Sequence, residues 1–412
     1  MFSNKISSKT PRRFLFLFEI LALLLLFIHQ KDNFDKQTFI NGFALIVIIY
    51  ASNYILLKVS RGDNYIFLIA TMLVSIGAIM IYRMDAKTGT RQLMWLFLSI
   101  LIFYATYFML KYIKIWDKLL YVYIGGAYLL FGLTFALGER KFGAINWINI
   151  KGVSLQPAEI TKLLVIFIMA AYYSNYNKYK KTKYSSYLIL GIMYSFIALL
   201  FLQRDLGMAV LMYGIYIGLQ FIYEEDRKLI AYNIGLFIIS GIIGYFAFNH
   251  VRVRVETWLN PWIYINDKGY QITQSLFAIA EGGFFGKGIG LGFPHFIPLA
   301  YNDFIFSAIC EEMGIFTGMG IIMLFMILVY RGFKIGMSQW NMFFRILAIG
   351  ISILFAIQSI IIIGGVIKLI PLTGITLPFV SYGGSSIVTS FMALGILQAA
   401  SEDMDWQVND DE

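Results

Sequence analysis

The residue best suited to chemistry in this sequence is Asp303, which ends a long loop and directly precedes the apolar residues Phe304, Ile305 and Phe306. We therefore expect its carboxylate at a helix N-terminus near a membrane surface. There the helix dipole stabilises the ionised form, whereas aromatic surroundings favour the neutral form. The resulting pKa decides whether Asp303 can act as a general base. Capping of the helix is the structural alternative, and it is the more common role for an aspartate in this position.

Two pairs of charged residues also lie at the edges of apolar segments, where an uncompensated charge is costly. Glu159 and Lys162 follow Pro157, and their spacing of three places both side chains on one helix face. Arg204 and Asp205 lie between two apolar runs with almost no loop. Each pair is open to two interpretations: a structural ion pair or helix cap, or the lining of a polar site.

Other chemistries are disfavoured by the residue types. One cysteine, Cys310, excludes an intramolecular disulfide framework and a thiolate cluster. A site built on several histidines is unlikely because the three histidines are scattered: His29, His250 and His295. The glycine-rich stretch around Lys287 is not a phosphate-binding P-loop, because glycine rather than serine or threonine follows the lysine.

The elements that must position these residues are membrane helices. The chain has 412 residues, of which 59% are hydrophobic and only 14% charged, and its mean hydropathy is +0.72. Such a composition indicates a bilayer protein, and runs of roughly 20 apolar residues without alternation predict helical spans rather than barrel strands. We predict an all-α polytopic bundle with about twelve spans, at residues 14–30, 38–58, 65–83, 92–110, 118–137, 159–175, 185–202, 206–223, 228–249, 304–330, 345–366 and 378–399.

The basic residues predict the orientation of these spans. Placing both termini in the cytoplasm puts 18 of the 33 lysines and arginines in the short cytoplasmic segments, as the positive-inside rule requires. The net charge of +9 is thus a topology signal and does not indicate nucleic-acid binding. The first span is predicted to be a membrane helix and not a cleaved signal peptide.

Three regions are predicted. Residues 1–64 form an extension with two spans, 65–400 form the main membrane domain, and 401–412 form an acidic cytoplasmic tail. Within the main domain, residues 250–303 form a long outer loop that carries Arg252, Arg254, Trp258 and Trp262. A loop of this length in a compact protein is usually functional.

From about residue 65 to 400 the sequence resembles the FtsW/RodA/SpoVE family, the SEDS proteins of bacterial shape, elongation, division and sporulation. The resemblance rests on many segments in the same order. They are RQLMW at 91–95, GA at 143–144 with Trp147, QPAEITK at 156–162, QRDLG at 203–207, GYQ at 269–271 with QS at 274–275, GG at 282–283 with GKG at 286–288, NDFIF at 302–306 with EE at 311–312 and Gly314, and LPFVSYGGSS at 377–386.

The resemblance implies a ten-helix glycosyltransferase core, here preceded by two extra helices. Members of the family polymerise lipid II, the undecaprenyl-pyrophosphate-linked precursor of peptidoglycan, on the outer face of the bacterial cell membrane. They usually act with a class B penicillin-binding protein, a transpeptidase. The products are β-1,4 glycan strands formed with inversion, so one in-line displacement expels undecaprenyl pyrophosphate.

The resemblance also suggests site residues. Asp303 matches the essential carboxylate and is expected to act as the general base; a bound divalent cation, Mg²⁺ or Mn²⁺, is left open. Glu159 and Lys162 match a pair that lines the central cavity. Cations near the phosphates are expected from Arg91, Arg204 and Lys287. Further expected cavity residues are Trp147, Ser381 and Tyr382.

Three positions depart from the family pattern. The family commonly has proline where Arg204 stands, His-Thr where Tyr301 and Asn302 stand, and arginine where Asn146 stands. We expect activity to be retained because Asp303 and the Glu159/Lys162 pair are kept. The cation missing at Asn146 is expected from Arg204 or from Arg140.

Two other functions compete with the enzyme. A flippase or transporter for lipid-linked precursors would also need a polar cavity and charges in the membrane. A scaffold without catalysis, recruiting division or shape proteins, would not need Asp303. The sequence does not distinguish division, elongation and sporulation as the process served.

Overall fold

The structure is a computed structural model, and it describes residues 9–29, 36–141, 144–150, 153–179 and 185–402. The predicted acidic tail beyond residue 402 lies outside the described residues. The α-helices are α1 (Lys9–His29), α2 (Lys36–Val59), α3 (Asn64–Met84), α4 (Ala86–Tyr112), α5 (Leu120–Leu137), α6 (Pro157–Ser174), α7 (Tyr176–Tyr179), α8 (Ser185–Leu202), α9 (Leu206–Tyr223), α10 (Arg227–Ala247), α11 (Asn249–Leu259), α12 (Tyr270–Gly282), α13 (Ile305–Ser338), α14 (Met342–Val366) and α15 (Gly384–Ala400).

The prediction of a polytopic helical bundle is confirmed, and each of the twelve predicted spans coincides with one long helix. Within the described part of the chain, nine helices are long and apolar enough to cross a membrane. Helices α8 and α15 contribute apolar stretches of 17 residues, just under that length, and α1 has 21 residues. The most deeply buried spans are α3, α6 and α14, which form the centre of the bundle.

The N-terminal pair of helices, α1 and α2, is part of the bundle. In lipid, helices gain little from burying apolar surface against each other, so close packing and polar contacts hold them together. Four such contacts join this pair to α3 and α4. They are Ser75 to Glu19 (2.6 Å), Asn53 to Thr71 (3.3 Å), Tyr82 to Thr38 (3.0 Å) and Asn41 to Thr90 (2.8 Å). The extra pair therefore covers one side of α3.

Helices α3 and α13 run antiparallel and are joined by an ion pair at each end of α3. Arg331 binds both carboxylate oxygens of Asp63 at 2.8 and 2.9 Å, and Arg83 lies 3.3 Å from Glu312. The 21 residues of α3 span about 30 Å, which is the thickness of the hydrocarbon core. We call the end of the bundle near Arg83 the loop face, because residues 250–303 lie there.

A small antiparallel sheet between α5 and α6 corrects the purely α-helical prediction. Its strands are β1 (Glu139–Lys141), β2 (Ala144–Ile150) and β3 (Val153–Leu155), in the order β1, β2, β3. Strand β2, AINWINI at 144–150, is rich in isoleucine and contains a tryptophan, residue types that favour strands, but its two asparagines lie three apart and give no period-2 pattern. A backbone hydrogen bond of 3.0 Å from Ile145 to Gln203 attaches β2 to the junction of α8 and α9.

The long loop is also more ordered than predicted, because it contains α11 and α12. Its glycine-rich part packs backbone to backbone against a break in α13 at Gly314, whose φ is +84°. A Cβ atom added at Gly286 would lie only 2.3 Å from the carbonyl oxygen of Glu312, so only glycine permits this approach. The segment that leads to Asp303 is thereby tied to the membrane helix that follows it.

Candidate active site

A cavity of about 1000 Å³ opens at the loop face. Its walls come from α4, β2, α6, the α8–α9 junction, α11, α12, residues 372–376 and the start of α15. This volume lies at the upper end of the range of ligand pockets, roughly 300–1,000 Å³. Of the predicted site residues, six line the cavity: Arg91, Trp147, Glu159, Arg204, Asp303 and Tyr382.

Asp303 lies in the turn before α13, and its carboxylate faces the cavity wall at Gly374. A Cβ atom built on Gly374 would be 3.6 Å from Asp303 Oδ2. Phe304, and not Asp303, occupies the N-cap position of α13, so the capping alternative is wrong. Burial raises the pKa of Asp303 to about 6, although Arg254 acts in the opposite direction. A carboxylate with this pKa is ionised at neutral pH yet basic enough to accept a proton.

Arg254 is the functional candidate that the sequence analysis did not select. It lies on α11, lines the cavity, and donates a hydrogen bond of 2.8 Å to the carbonyl oxygen of Thr373. Its guanidinium also lies 3.6 Å from the Cβ position at Gly374, so Arg254 and Asp303 flank the same point. Among the described residues, no carboxylate oxygen is within 4.0 Å of it. The cation thus remains available to an anionic ligand beside the base.

The sequence signal for Arg254 was weak. Arg252 and Arg254 are two residues apart, and in a loop of unknown structure nothing separates their roles. Because the segment is helical, residues two apart point in different directions. Arg252 is exposed and pairs with Glu256 at 2.7 Å, whereas Arg254 enters the cavity.

Glu159 and Lys162 form the ion pair predicted by their spacing. Their charged atoms are 2.5 Å apart, and both side chains are almost fully buried. Glu159 also accepts a hydrogen bond of 2.8 Å from Thr389, and Lys162 lies 3.2 Å from the amide oxygen of Gln358. Glu159 lines the cavity, while Lys162 lies behind it. Lys162 therefore affects the cavity only indirectly, by holding the Glu159 carboxylate in place.

We expect Lys162→Met to be strongly destabilising. It leaves the buried Glu159 carboxylate without its countercharge, and loss of one member of a buried pair costs about 3–5 kcal/mol. The matched control is the double variant Glu159→Gln with Lys162→Met, which removes both charges and is expected to recover most of the loss. Thermal unfolding of the purified protein in detergent measures both. Equal stability of the single variant and wild type would contradict the prediction.

Arg204 and Asp205 have different roles. Asp205 caps α9 by accepting from the Met208 amide at 3.2 Å, and it accepts from Asn146 and Gln156 at 2.8 Å each. Arg204 has a φ of +62° and lines the cavity. Proline cannot adopt this φ, so the departure from the family pattern at Arg204 accompanies a different turn. The side chain of Arg140, the alternative cation, lies outside the described residues.

Arg91 marks another part of the cavity wall. It contacts the Tyr382 hydroxyl, and the amide of Tyr382 donates a hydrogen bond of 2.8 Å to the carbonyl oxygen of Tyr301. Ser381 is buried and does not line the cavity; its hydroxyl donates to the carbonyl oxygen of Asn302 at 2.6 Å. Ser381 and Tyr382 thus hold the turn that presents Asp303.

The structure corrects the expectation for Lys287. Its ammonium pairs with Glu281 and lies 3.4 Å from Glu311, and it is absent from the cavity wall. Lys287 therefore fastens the glycine-rich loop to α13 and does not approach a ligand in the cavity.

Several polar atoms on the cavity wall have no hydrogen-bond partner among the described residues. They are Asn146 Oδ1, His250 Nε2, Asn302 Oδ1 and Thr373 Oγ1. Buried polar atoms without partners are costly. A ligand rich in hydroxyl groups would satisfy them, because a hydroxyl can donate to the two amide oxygens and can either donate to or accept from His250 and Thr373.

A metal ion would have few protein ligands here. Within the described ranges there is no group of three or more histidine, cysteine, aspartate or glutamate residues that could hold one. A divalent cation at Asp303 would therefore need most of its ligands from substrate phosphates and water, as Mg²⁺ often does.

Comparison with known proteins identifies relatives over nearly the whole chain. The FtsW/RodA/SpoVE family model, described as a cell cycle protein, matches residues 63–405. The peptidoglycan glycosyltransferase RodA of Mycobacterium tuberculosis (strain ATCC 25618 / H37Rv) is 31% identical over 92% of this chain and 87% of its own length. Stage V sporulation protein E of Bacillus subtilis (strain 168) is 33% identical over 82% of this chain and 97% of its own.

Solved structures share the fold. A chain from a peptidoglycan synthase complex, studied for the structural coordination of polymerization and crosslinking, superposes with a TM-score of 0.68. It is 22% identical and covers 82% of this chain and 97% of its own length. The rod shape determining protein RodA of Thermus thermophilus has a TM-score of 0.63 at 23% identity, covering 84% of this chain and 98% of its own.

Proposed function

This chain belongs to the FtsW/RodA/SpoVE family, and we propose that it is a membrane peptidoglycan glycosyltransferase that polymerises lipid II at the cavity around Asp303. The observation that carries the proposal is the Asp303 carboxylate in a large cavity beside the Arg254 guanidinium, which has no carboxylate oxygen within 4.0 Å among the described residues. A base and a cation side by side match what transfer of a glycosyl group from a diphosphate requires.

The reaction inverts the donor sugar, so the acceptor hydroxyl attacks in line with the departing diphosphate. Asp303 takes the proton from the 4-hydroxyl of the acceptor N-acetylglucosamine as the new glycosidic bond forms. Soluble inverting glycosidases need a second carboxyl group to protonate the leaving oxygen. A diphosphate is a stable anion and needs only charge stabilisation, so one carboxylate is sufficient.

Arg254 supplies that charge stabilisation. Its planar guanidinium can bind two phosphate oxygens at once. The negative charge on the leaving diphosphate increases as the glycosidic bond breaks, so a fixed cation stabilises the transition state more than the bound substrate. Glu159, held by Lys162, and Arg91, held by Tyr382, form the more distant walls.

The loop face is the outer face in this proposal. The basic residues near the ends of the spans lie mostly at the opposite end, where Arg331 pairs with Asp63, and positive residues favour the cytoplasm. Both termini are then cytoplasmic. The saccharide of lipid II would enter the cavity from outside while its polyprenyl chain stays in the outer leaflet.

A transpeptidase is the proposed partner. The related chain of similar fold belongs to a complex that couples polymerization to crosslinking. A class B penicillin-binding protein would receive the glycan strand as it leaves the loop face. Co-purification of this protein from its native membrane, followed by labelling with a fluorescent penicillin, tests the pairing.

The function is tested with purified protein and labelled lipid II, with and without the co-purified transpeptidase. Glycan polymer is the expected product. Lipid II that crosses a liposome bilayer without being polymerised would favour a flippase. Binding of division or shape proteins with neither activity would favour a scaffold.

The rate is expected to fall in acid. Burial raises the pKa of Asp303 to about 6, so below that pH the carboxyl is protonated in the free enzyme and cannot accept a proton. We expect kcat/KM to drop about tenfold per pH unit below pH 6 and to be level above it until another group titrates. Initial rates between pH 4.5 and 8 give the profile. An unchanged rate at pH 5 would exclude Asp303 as the base.

A further inference from the structure

Three polar residues form a row that leads away from Asp303. His250 and Arg254 lie one turn apart on α11, and both line the cavity. Arg204, at the α8–α9 junction, lies at the His250 end of the row, because Phe201 at the end of α8 and Phe248 at the start of α11 have ring centroids 6.0 Å apart. The order along the row is thus Asp303, Arg254, His250 and Arg204. We call Arg204, His250 and Arg254 the polar row.

The members of the row beyond Arg254 have unused binding capacity. His250 Nε2 has no hydrogen-bond partner among the described residues. No carboxylate oxygen in the described part of the chain comes within 4.0 Å of Arg204. The neighbouring Asp205 is already engaged by the Met208 amide, Asn146 and Gln156.

The backbone of Arg204 is in a costly conformation. For a residue with a Cβ atom, the left-handed region is sterically unfavourable, and such strain is retained mostly where it serves a function. Here φ of +62° places the side chain on the cavity wall while Asp205 caps α9.

The spacing of the row matches a diphosphate. Side chains four residues apart on a helix are about 5–6 Å apart at their Cβ atoms, close enough for His250 and Arg254 to hold adjacent phosphates. Beyond Arg204 the surface is apolar and open to lipid, since Leu202 is 65% exposed and Phe246 is 80% exposed. Phe248 lies between this surface and His250, and the ring centroids of Phe248 and His250 are 5.6 Å apart.

We infer that the polar row sets the direction of the donor substrate. Arg254 binds the phosphate attached to the sugar, and His250 and Arg204 bind the phosphate attached to the polyprenyl chain. The chain then leaves past Leu202 and Phe246. The inference rests on the proposed function, because it assigns the donor of that reaction. It makes Arg254 the residue that favours a diphosphate over a monophosphate, because a prenyl monophosphate has only the phosphate that His250 and Arg204 bind.

Measurements of ligand binding test this inference without requiring catalytic turnover. Full-length protein in detergent is titrated with a fluorescent farnesyl diphosphate analogue, and unlabelled farnesyl diphosphate, farnesyl monophosphate and inorganic pyrophosphate compete. Wild type is expected to prefer farnesyl diphosphate over both other competitors. Arg204→Gln and His250→Gln should each weaken farnesyl diphosphate binding roughly tenfold or more, the effect of one lost charge-assisted bond. Monophosphate binding should weaken to a similar extent in these two variants, because the single phosphate of farnesyl monophosphate is attached to the prenyl chain.

Arg252→Gln is the matched control, because Arg252 lies on the same helix but is exposed and paired with Glu256. It is expected to bind like wild type. Arg204→Lys, which keeps the charge, should recover part of the affinity, and thermal unfolding excludes misfolding. Equal diphosphate affinity of Arg204→Gln and Arg252→Gln would overturn the inference, as would unchanged monophosphate binding by Arg204→Gln.

Lipid II polymerisation by the same preparations separates this inference from the proposed function. If polymer forms but diphosphate binding does not depend on Arg204, the proposed role of the row is contradicted and the proposed enzymatic function stands. If diphosphate binding depends on Arg204 but wild type forms no polymer, the row is supported as a binding site and the proposed enzymatic function is contradicted.

Discussion

Asp303→Asn is expected to lower the rate of lipid II polymerisation by roughly 10²–10⁴, the contribution typical of a general base. Asparagine keeps the size and shape of the side chain but cannot accept a proton at neutral pH. Because the carboxylate of Asp303 receives no hydrogen bond from the described residues, the change should not disturb the fold. Single-turnover rates with labelled lipid II measure the effect.

Asp267→Asn is the control for this prediction. Asp267 is an exposed acidic residue in the same loop, and its variant is expected to polymerise at the wild-type rate. The two variants should also unfold at the wild-type temperature and bind the transpeptidase equally. Normal polymer formation by Asp303→Asn would remove the catalytic assignment, because no other carboxylate flanks Gly374 beside Arg254 within the described ranges.

Arg254→Gln has the second largest expected effect, a decrease in kcat of roughly 10²–10³, comparable to loss of one preorganised group that stabilises transition-state charge. The substitution removes the positive charge nearest the base while glutamine can still donate to Thr373. If Arg254 acts on the leaving diphosphate, kcat should fall more than KM rises. Steady-state kinetics over a range of lipid II concentrations separates the two parameters.

Arg254→Lys and Arg252→Gln complete that series. Lysine keeps the charge but loses the two-pronged geometry of the guanidinium, so an intermediate rate is expected. Arg252→Gln alters an exposed residue on the same helix and should leave kcat unchanged. A higher KM with unchanged kcat in Arg254→Gln would show that Arg254 only holds the ground state.

The position of Asp303 explains how one carboxylate can be both ionised and basic. Burial raises its pKa, and Arg254 limits the rise without forming an ion pair. A direct salt bridge would lower the pKa and make the carboxylate a poor base. The Glu159/Lys162 pair shows the contrasting arrangement, because its charged atoms are 2.5 Å apart and each charge is directly compensated by the other.

Much of the fold was predictable from sequence because lipid imposes a simple rule. A segment that crosses the bilayer must satisfy its backbone hydrogen bonds internally, so long apolar runs form helices whatever their neighbours are. All twelve predicted spans are therefore helices. The sheet at β2 was missed because AINWINI at 144–150 does not alternate between polar and apolar residues. A strand this short is recognisable only with its partners, and these depend on the junction at Gln203.

The residues that bear charge at an apolar boundary were also predictable, and Asp303, Glu159 and Lys162 were selected on that ground. The sequence alone could not separate Arg254 from Arg252, or recognise that Lys287 pairs with Glu281 and Glu311. Those outcomes depend on the rotation of α11 and on the docking of the glycine-rich loop against Gly314. Hydropathy and charge are local properties, so the sequence by itself determined the spans and the candidate base. Which cations face that base is set by contacts between segments far apart in the chain, and only the tertiary structure decided it.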